Sequence, residues 1–438
     1  MRAYPSVGIQ IPDILLPKSG IDLHKWAVIA CDQFTSQPEY WKAVENEVGN
    51  APSTLNLVLP EVYLGKGDEE SLIQVTNEKM MEYQQQGMFS EFEGIMAVER
   101  TIGTSRRKGL MLALDLEKYD FNRGSQTLIR ATEGTILDRL PPRIKIRQNA
   151  TIELPHILVL IDDPEMTVIE PVLDSVQEAS PVYDFELMQG SGHIRGWKII
   201  DRVIEKRMVS ALEQLALPHD FQKKYRVGPE KGVLLYAVGD GNHSLATAKS
   251  VWEMKKASLG KEHPSRYALV ELENLHDPAL QFEPIHRVLM GANPETVLAG
   301  MHAFYGARVR VESVSNMEQM IASVHDQGSF AQRFGIITVG GFQVVEIMQP
   351  EANLPVGTLQ SFLDNWLQHT TDVKVDYVHG NDVLLNLSSQ PSRVGFYLQG
   401  MAKNELFRTV ILDGALPRKT FSMGEAREKR FYLEARKI

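Results

Sequence analysis

The sequence predicts a mixed α/β (α+β) protein, and three observations predict it. Short apolar runs of strand length alternate with amphipathic stretches of helical period. A glycine-rich polar turn, Gly239-Asp240-Gly241-Asn242-His243-Ser244, joins one such run to a helix. The 43% apolar and 23% charged content is that of an ordinary globular chain. At 438 residues the chain outgrows a single core, which stops growing near roughly 250–300 residues. We expect an α/β region over residues 1–290 that carries the Asp-Gly-Asn-His motif, and an α+β region over 291–438.

The elements follow in chain order. Trp26 to Ala30 reads as a strand that runs into a polar turn, Cys31 to Pro38. A helix follows, with Pro38 in its first turn and Tyr40, Trp41, Val44 and Val48 on one face. Glu70 to Gln86 is a second amphipathic helix, ended by Gly87. Gly94 to Leu116 turns to strand patterning, with Gly109 to Leu114 as a buried strand. Ile157 to Ile161 is another, followed by Asp162-Asp163-Pro164. Gly196 to Ile204 suggests a strand, and Asp201 to Ala216 a helix closed by Pro218. Gly232 to Val238, the polar turn, a helix from Ser244 to Lys256 and a strand from Tyr267 to Leu272 form a strand–helix–strand unit. Beyond it, Pro294 to Phe304, Asn316 to His325 and Leu359 to Leu367 read as helices. Gly335 to Val339 and Val344 to Ile347 read as paired strands, His379 to Asp382 as a turn, and Val394 to Leu398 as a late core strand.

Bulk properties remove several classes. The single cysteine, Cys31, excludes a disulfide framework and a cysteine-rich metal site. No apolar run approaches the roughly 20 residues of a bilayer span, and the start lacks a signal-peptide pattern, so a cytoplasmic location is expected. A formal charge of −10 argues against a surface that coats nucleic acid. Basic residues still cluster at Arg139, Arg143, Lys145 and Arg147, and at Arg418, Lys419, Arg427, Lys429 and Arg430. These are solvated faces or walls for an anionic ligand.

The central turn has the most chemical content. Glycines at a helix start leave backbone N–H groups pointing outward, where the helix dipole favours an anion. Gly241 permits close approach, Asp240 could hold a divalent cation, and His243 could donate to phosphate or move a proton. The same residues also suit a plain helix cap on Asn242 or Ser244, and spacing does not choose between the two. Asp32 sits at a strand end among hydrogen-bonding side chains. Arg130 suits bidentate binding of phosphate or carboxylate, and Glu133 suits a base or metal ligand. His286 and Arg287 stand side by side behind Pro284. Asp162 and Asp163 suit Mg²⁺ or ordinary turn chemistry, and Cys31 reads as a buried thiol.

These motifs resemble the domain-of-unknown-function family 1015 across nearly the whole chain. The family's Asp-Gly-His-His-Arg appears as Asp240-Gly241-Asn242-His243-Ser244, and its Pro-Tyr-Asp-Val-Ile-Ser as Ala30 to Ser36. Its Arg-Pro-His-Glu appears as Arg130 to Glu133, its Pro-Thr-His-Arg as Pro284 to Arg287, and its Met-Pro-x-Lys-Ser/Thr as Leu416 to Thr420. The central motif is also similar to the nucleotide-binding turn of the ParB/sulfiredoxin superfamily, which includes free-serine kinases. That resemblance implies a ParB/sulfiredoxin-like nucleotide-binding core with an additional α+β domain. It implies ATP, ADP or another nucleotide held with Mg²⁺ on Asp240. The nucleotide would be bound by Asp240, Gly241, Asn242, His243 and Ser244, with Arg130, Arg139, Arg287 and Lys419 adding positive charge. Asp32, Glu133, His243 and His286 would be the catalytic set. Ser244 departs from the family's arginine and removes one phosphate contact. The function implied is a phosphotransferase acting on a small hydroxylated metabolite, serine or something like it. The alternatives are a nucleotide-gated regulator of ParB type and a phosphatase of a small phosphorylated metabolite. The partners considered are substrate, nucleotide and a second copy of the chain.

Overall fold

The structure is a computed structural model that describes residues 2–137, 140–326 and 330–438. The chain divides into two compact units: Met1–Gln281 together with Met423–Ile438, and Phe282–Ser422. Its C-terminal segment thus belongs with the first unit, whereas the sequence suggests one division near residue 290.

The first unit is built on an eleven-stranded mixed sheet. Along it lie Tyr183–Glu186, His193–Ile199, Ile95–Ile102, Ser105–Asp115, Tyr267–Asn274, Leu158–Ile161, Tyr236–Asp240, Ile129–Ala131 and Tyr119–Asp120. The central strands are buried on both faces. Leu110, Leu112 and Leu114 join Ala268, Val270 and Leu272 in one core, while Met111 joins Met96, Val98 and Leu269 in the other. A strand buried on both faces reads as a continuous apolar run, which is why Gly109 to Leu114 was legible. Each fully buried leucine contributes roughly 2 kcal/mol.

Leu158–Ile161 lies between Tyr267–Asn274, to which it runs parallel, and Tyr236–Asp240, to which it runs antiparallel. The expected strand–helix–strand unit is therefore interrupted, because its two strands have a third between them. The register slips between Leu158 and Val159, and Leu158 lies opposite Asp240. Ile129–Ala131 then pairs in parallel with Tyr236–Asp240. That strand starts later than the sequence suggests, since Leu235 N and Tyr236 N both turn to Leu128 O. It also runs on through Gly239 and Asp240, to the edge of the polar turn.

Near the N-terminus, Asp22 accepts from His24 N and Lys25 N and nucleates a short helix, Leu23–Trp26. Only Val28–Ile29 remains as a strand, and it pairs with Phe431–Tyr432 from the other end of the chain. Arg202–Leu215 is capped by Asp201, whose carboxylate accepts from Val203 N at 2.7 Å.

The second unit is an antiparallel sheet in the order Val309–Val314, Gly341–Met348, Ala331–Thr338, Arg393–Tyr397, Phe282–Met290, Lys374–His379. Its hairpin closes with Thr338 opposite Gly341, whose φ of 115° requires glycine. Pro294–Tyr305 and Met317–His325 form at the expected proline and asparagine starts, whereas Pro355–Gln368 begins four residues before the expected Leu359. Among the described residues, no helix is long and apolar enough to cross a membrane.

Candidate functional site

The polar turn is held open by its own side chains. Gly241 is the N-cap of the 18-residue helix Asn242–Leu259, with a φ of 79°. A Cβ there would meet Ile157 Cα at 3.1 Å, and one on Gly239 would meet Met423 Sδ at 2.5 Å. Both glycines are therefore fixed by backbone conformation or close packing. As a glycine, this N-cap offers the helix no side-chain cap of its own. The cap reading of Asn242 and Ser244 fails, because both side chains are spent elsewhere. Asn242 Oδ1 accepts from Thr132 N at 3.1 Å, and its Nδ2 donates to Val238 O and Thr132 Oγ1, each at 3.3 Å. Asn242 thereby latches the segment Arg130–Thr132 to the turn. His243 Nε2 accepts from Ile136 N at 3.3 Å, so a neutral ring carries its proton on Nδ1.

Ser244 faces the other way. Its Oγ lies 2.9 Å from His156 Nε2, and His156 Nδ1 lies 2.6 Å from the Tyr432 hydroxyl. That hydroxyl donates to Cys31 Sγ at 3.1 Å and accepts from Cys31 N at 3.2 Å. Asp32 Oδ2 stands 3.7 Å from His156 Nε2, and Asp32 Oδ1 accepts from Gln33 Nε2 at 2.9 Å. Burial would raise the Asp32 pKa. The neighbouring His156, the Gln33 hydrogen bond, Lys429 and Arg143 outweigh it and hold the group below its ordinary value. Burial and the adjacent Asp32 push the Cys31 thiol up to about 12, so it is no thiolate nucleophile at neutral pH. Burial likewise carries Tyr432 well above an ordinary phenol.

Asp240 completes this wall. Its Oδ1 accepts from Gly241 N at 3.0 Å and its Oδ2 lies 3.2 Å from Lys429 Nζ. Among the described residues no group of three or more His, Cys, Asp or Glu side chains could hold a metal. Asp240 could still supply an oxygen to Mg²⁺ arriving with phosphate, which commonly takes one or two carboxylates plus substrate oxygens. Beside Ser244 and His156 is a cavity of about 140 Å³, also lined by Cys31, Glu61, Arg143 and Tyr432. Arg143 pairs with Glu61 there. Burial raises the Glu61 pKa in spite of Arg143.

The remaining sequence-derived residues are placed as follows. Arg130 is buried, donating to Thr127 O at 2.8 Å and to Gly232 O, while its Nη1 finds no partner among the described residues. Desolvation lowers its pKa to about 10. Glu133 is half-buried just beyond the Asn242 latch. Arg139 lies outside the described residues. His286, Arg287 and Lys419 belong to the second unit. There His286 accepts from Leu398 N at 3.2 Å, and burial takes it down to about 4. Arg287 is fully buried, donating to Ile285 O and, at 3.0 Å, to Arg418 O. Lys419 is exposed with a φ of 55°. Asp163 accepts from Thr167 N and Val168 N in a closed turn, and Asp162 takes Lys224, Tyr225 and His276.

Three residues of the site were not singled out from sequence: His156, Lys429 and Tyr432. His156 follows Pro155 at the entrance to an apolar strand, where a histidine breaks the run. Lys429 was visible only as one of a basic cluster, and Tyr432 sits in the apolar trio Phe431-Tyr432-Leu433 that follows it.

The fold and site together define a two-unit mixed α/β protein whose polar turn leads into a helix with a glycine N-cap. The chain belongs to the family described as protein of unknown function, DUF1015, whose sequence profile matches residues 15–366. A search of curated proteins gives no match. Among solved structures, the chain is similar to a conserved hypothetical protein from Pyrococcus furiosus. The identity is 11% and the TM-score 0.36, over 74% of this chain and 90% of that one. It is also similar to C-terminally truncated SbnI from Staphylococcus aureus, at 12% identity and a TM-score of 0.34 over 74% and 82%. A free serine kinase, as its E30A mutant in complex with ADP, matches at 10% identity and a TM-score of 0.37 over 74% and 87%. Superpositions this loose transfer neither a site nor a reaction.

Proposed function

We propose that this protein transfers a phosphoryl group from a nucleotide to a small hydroxylated metabolite, serine or a similar compound. The observation that carries it is the N-terminus of Asn242–Leu259, where the N-cap is Gly241 and brings no side chain to the first amides. Phosphoryl transfer asks chiefly for positioning and charge neutralisation. The helix start holds phosphate oxygens, and Lys429 Nζ lies beside Asp240 to neutralise charge. Mg²⁺, when bound on Asp240, would add charge compensation to the phosphates. Asp32 stays ionised and is the base for an attacking hydroxyl. The cavity of about 140 Å³ is smaller than the roughly 300 Å³ at which drug-sized pockets begin, so it suits a small acceptor, with the nucleotide outside it.

Purified protein with Mg²⁺ is titrated with ATP and with ADP, the nucleotide named for the serine kinase neighbour. Nucleotide consumption is then followed across pools of amino acids and hydroxy acids. Binding together with acceptor-dependent consumption supports the reading. The absence of both binding and consumption refutes it.

A further inference from the structure

We propose that Ser244 is a nucleophile activated by His156, and that the phosphoryl group passes through a covalent phosphoserine at this position. The separation of 2.9 Å lies inside the roughly 2.6–3.2 Å expected of a nucleophile and its general base. The tautomer the proposal requires has Nδ1–H donating to the Tyr432 oxygen at 2.6 Å, with the Tyr432 proton turned to Cys31 Sγ at 3.1 Å and Cys31 N donating to the same oxygen at 3.2 Å. Nε2 is then left with its lone pair toward Ser244 Oγ. His156 is only 8% exposed, so this orientation is protected from water. Asp32 Oδ2, 3.7 Å from the same nitrogen, stabilises the imidazolium that forms. Ser244 lies in the first turn of a helix with a glycine N-cap, where the dipole stabilises charge developing on an attacked phosphoryl group.

The steps balance. Ser244 Oγ forms an O–P bond as the bond from phosphorus to the nucleotide's bridging oxygen breaks, with its electron pair leaving on the departing phosphate. The serine proton passes to His156 Nε2. The acceptor hydroxyl then attacks the phosphoserine and gives its proton to Asp32, from which it reaches solvent. His156 returns its proton to the departing Ser244 Oγ. The choice of phosphoryl transfer rests on the function proposed above, whereas the nucleophile rests on the Ser244–His156 geometry alone.

The test has two arms. The full chain is treated with a fluorophosphonate probe and followed by intact mass and peptide mapping. A single adduct on Ser244 is expected, with labelling at least about 100-fold slower in His156→Gln, the lower range for loss of a general base. No adduct, an adduct elsewhere, or an unchanged rate in the variant overturns the nucleophile. If that variant does not fold, His156→Asn is read in its place, and labelling of Ser244 at the wild-type rate overturns the idea equally. In the second arm, labelled ADP is exchanged into ATP with no acceptor present. Exchange that disappears in Ser244→Ala supports the covalent route. Acceptor phosphorylation that survives Ser244→Ala removes the covalent route and leaves the phosphotransferase standing. An adduct on Ser244 with no nucleotide use removes the phosphotransferase and leaves the nucleophile.

Discussion

Asn242 is better understood as a latch than as a ligand, and Asn242→Ala measures the difference. Its Oδ1 is the acceptor for Thr132 N at 3.1 Å, and Thr132 is only 1% exposed. Truncation leaves that N–H buried without its partner, at a cost of roughly 1–3 kcal/mol. The two 3.3 Å bonds from Nδ2 are long and add little, and Val238 O keeps its bond from Thr132 Oγ1 at 2.6 Å. The expected loss is therefore about 2 kcal/mol. Urea unfolding of the full chain measures it, with fluorescence of Trp252, buried on the same helix, as the local probe. Asn242→Asp separates latch from ligand site. Its carboxylate keeps the acceptor for Thr132 N and gains roughly 0.3–1 kcal/mol from the helix start, but loses both donors and sets an oxygen against Val238 O. Stability should fall by less than in the alanine variant. A fixed negative charge at the helix start should meanwhile weaken nucleotide binding about tenfold or more, a cost near 1.4 kcal/mol. Alanine should leave affinity within about threefold of wild type once unfolding is accounted for. An alanine variant within about 0.5 kcal/mol of wild type would refute the latch.

Further outcomes follow from the same geometry. Gly241→Ala forces a Cβ into left-handed backbone and within 3.1 Å of Ile157 Cα, and should cost upwards of about 2 kcal/mol by chemical denaturation. Burial lifts Glu273 from 4.5 to about 8 despite Arg107. The folded state therefore holds that proton more tightly, so this group's stabilisation is full below about pH 4.5 and lost as pH rises toward 8. Glu273→Gln should flatten that loss in unfolding midpoints recorded across the window. Asp32→Asn should abolish nucleotide turnover with the fold retained in circular dichroism. Because Asp32 is held below its ordinary value, wild-type activity should show no acid limb from this group above about pH 4. A chain ended before Met423 loses Lys429, Tyr432 and Arg430, whose guanidinium pairs with Glu271 at 3.0 Å and with Glu434 in full burial. Stranding Glu271 should cost roughly 3–5 kcal/mol and remove cooperative unfolding of the first unit in calorimetry.

What could be read from the sequence was local, and what could not was carried by distant partners. Strands such as Leu158–Ile161 show as apolar runs because both their faces are covered. Helices such as Pro38–Val48 and Pro294–Tyr305 announce themselves by proline in the first turn. The polar turn was legible through Gly241, whose left-handed backbone at a φ of 79° is a local requirement, whereas Gly239 answers to the distant Met423. The basic clusters were not. Arg143, Lys145 and Arg147 each meet a carboxylate from elsewhere, Glu61, Glu70 and Glu153. In the C-terminal cluster Arg430 is buried against Glu271 while Lys429 turns to Asp240. Adjacent residues thus take different roles, and charge counting along the chain cannot separate them. The same distance hid the base. His156 gains its meaning from Ser244 and Tyr432, and strand pairing of Phe431–Tyr432 with Val28–Ile29 sets Tyr432 beside Cys31. A serine in the arginine position looked like a lost phosphate contact while its partner was unknown. Set 2.9 Å from a buried imidazole, that substitution becomes a gain of chemistry at the helix start.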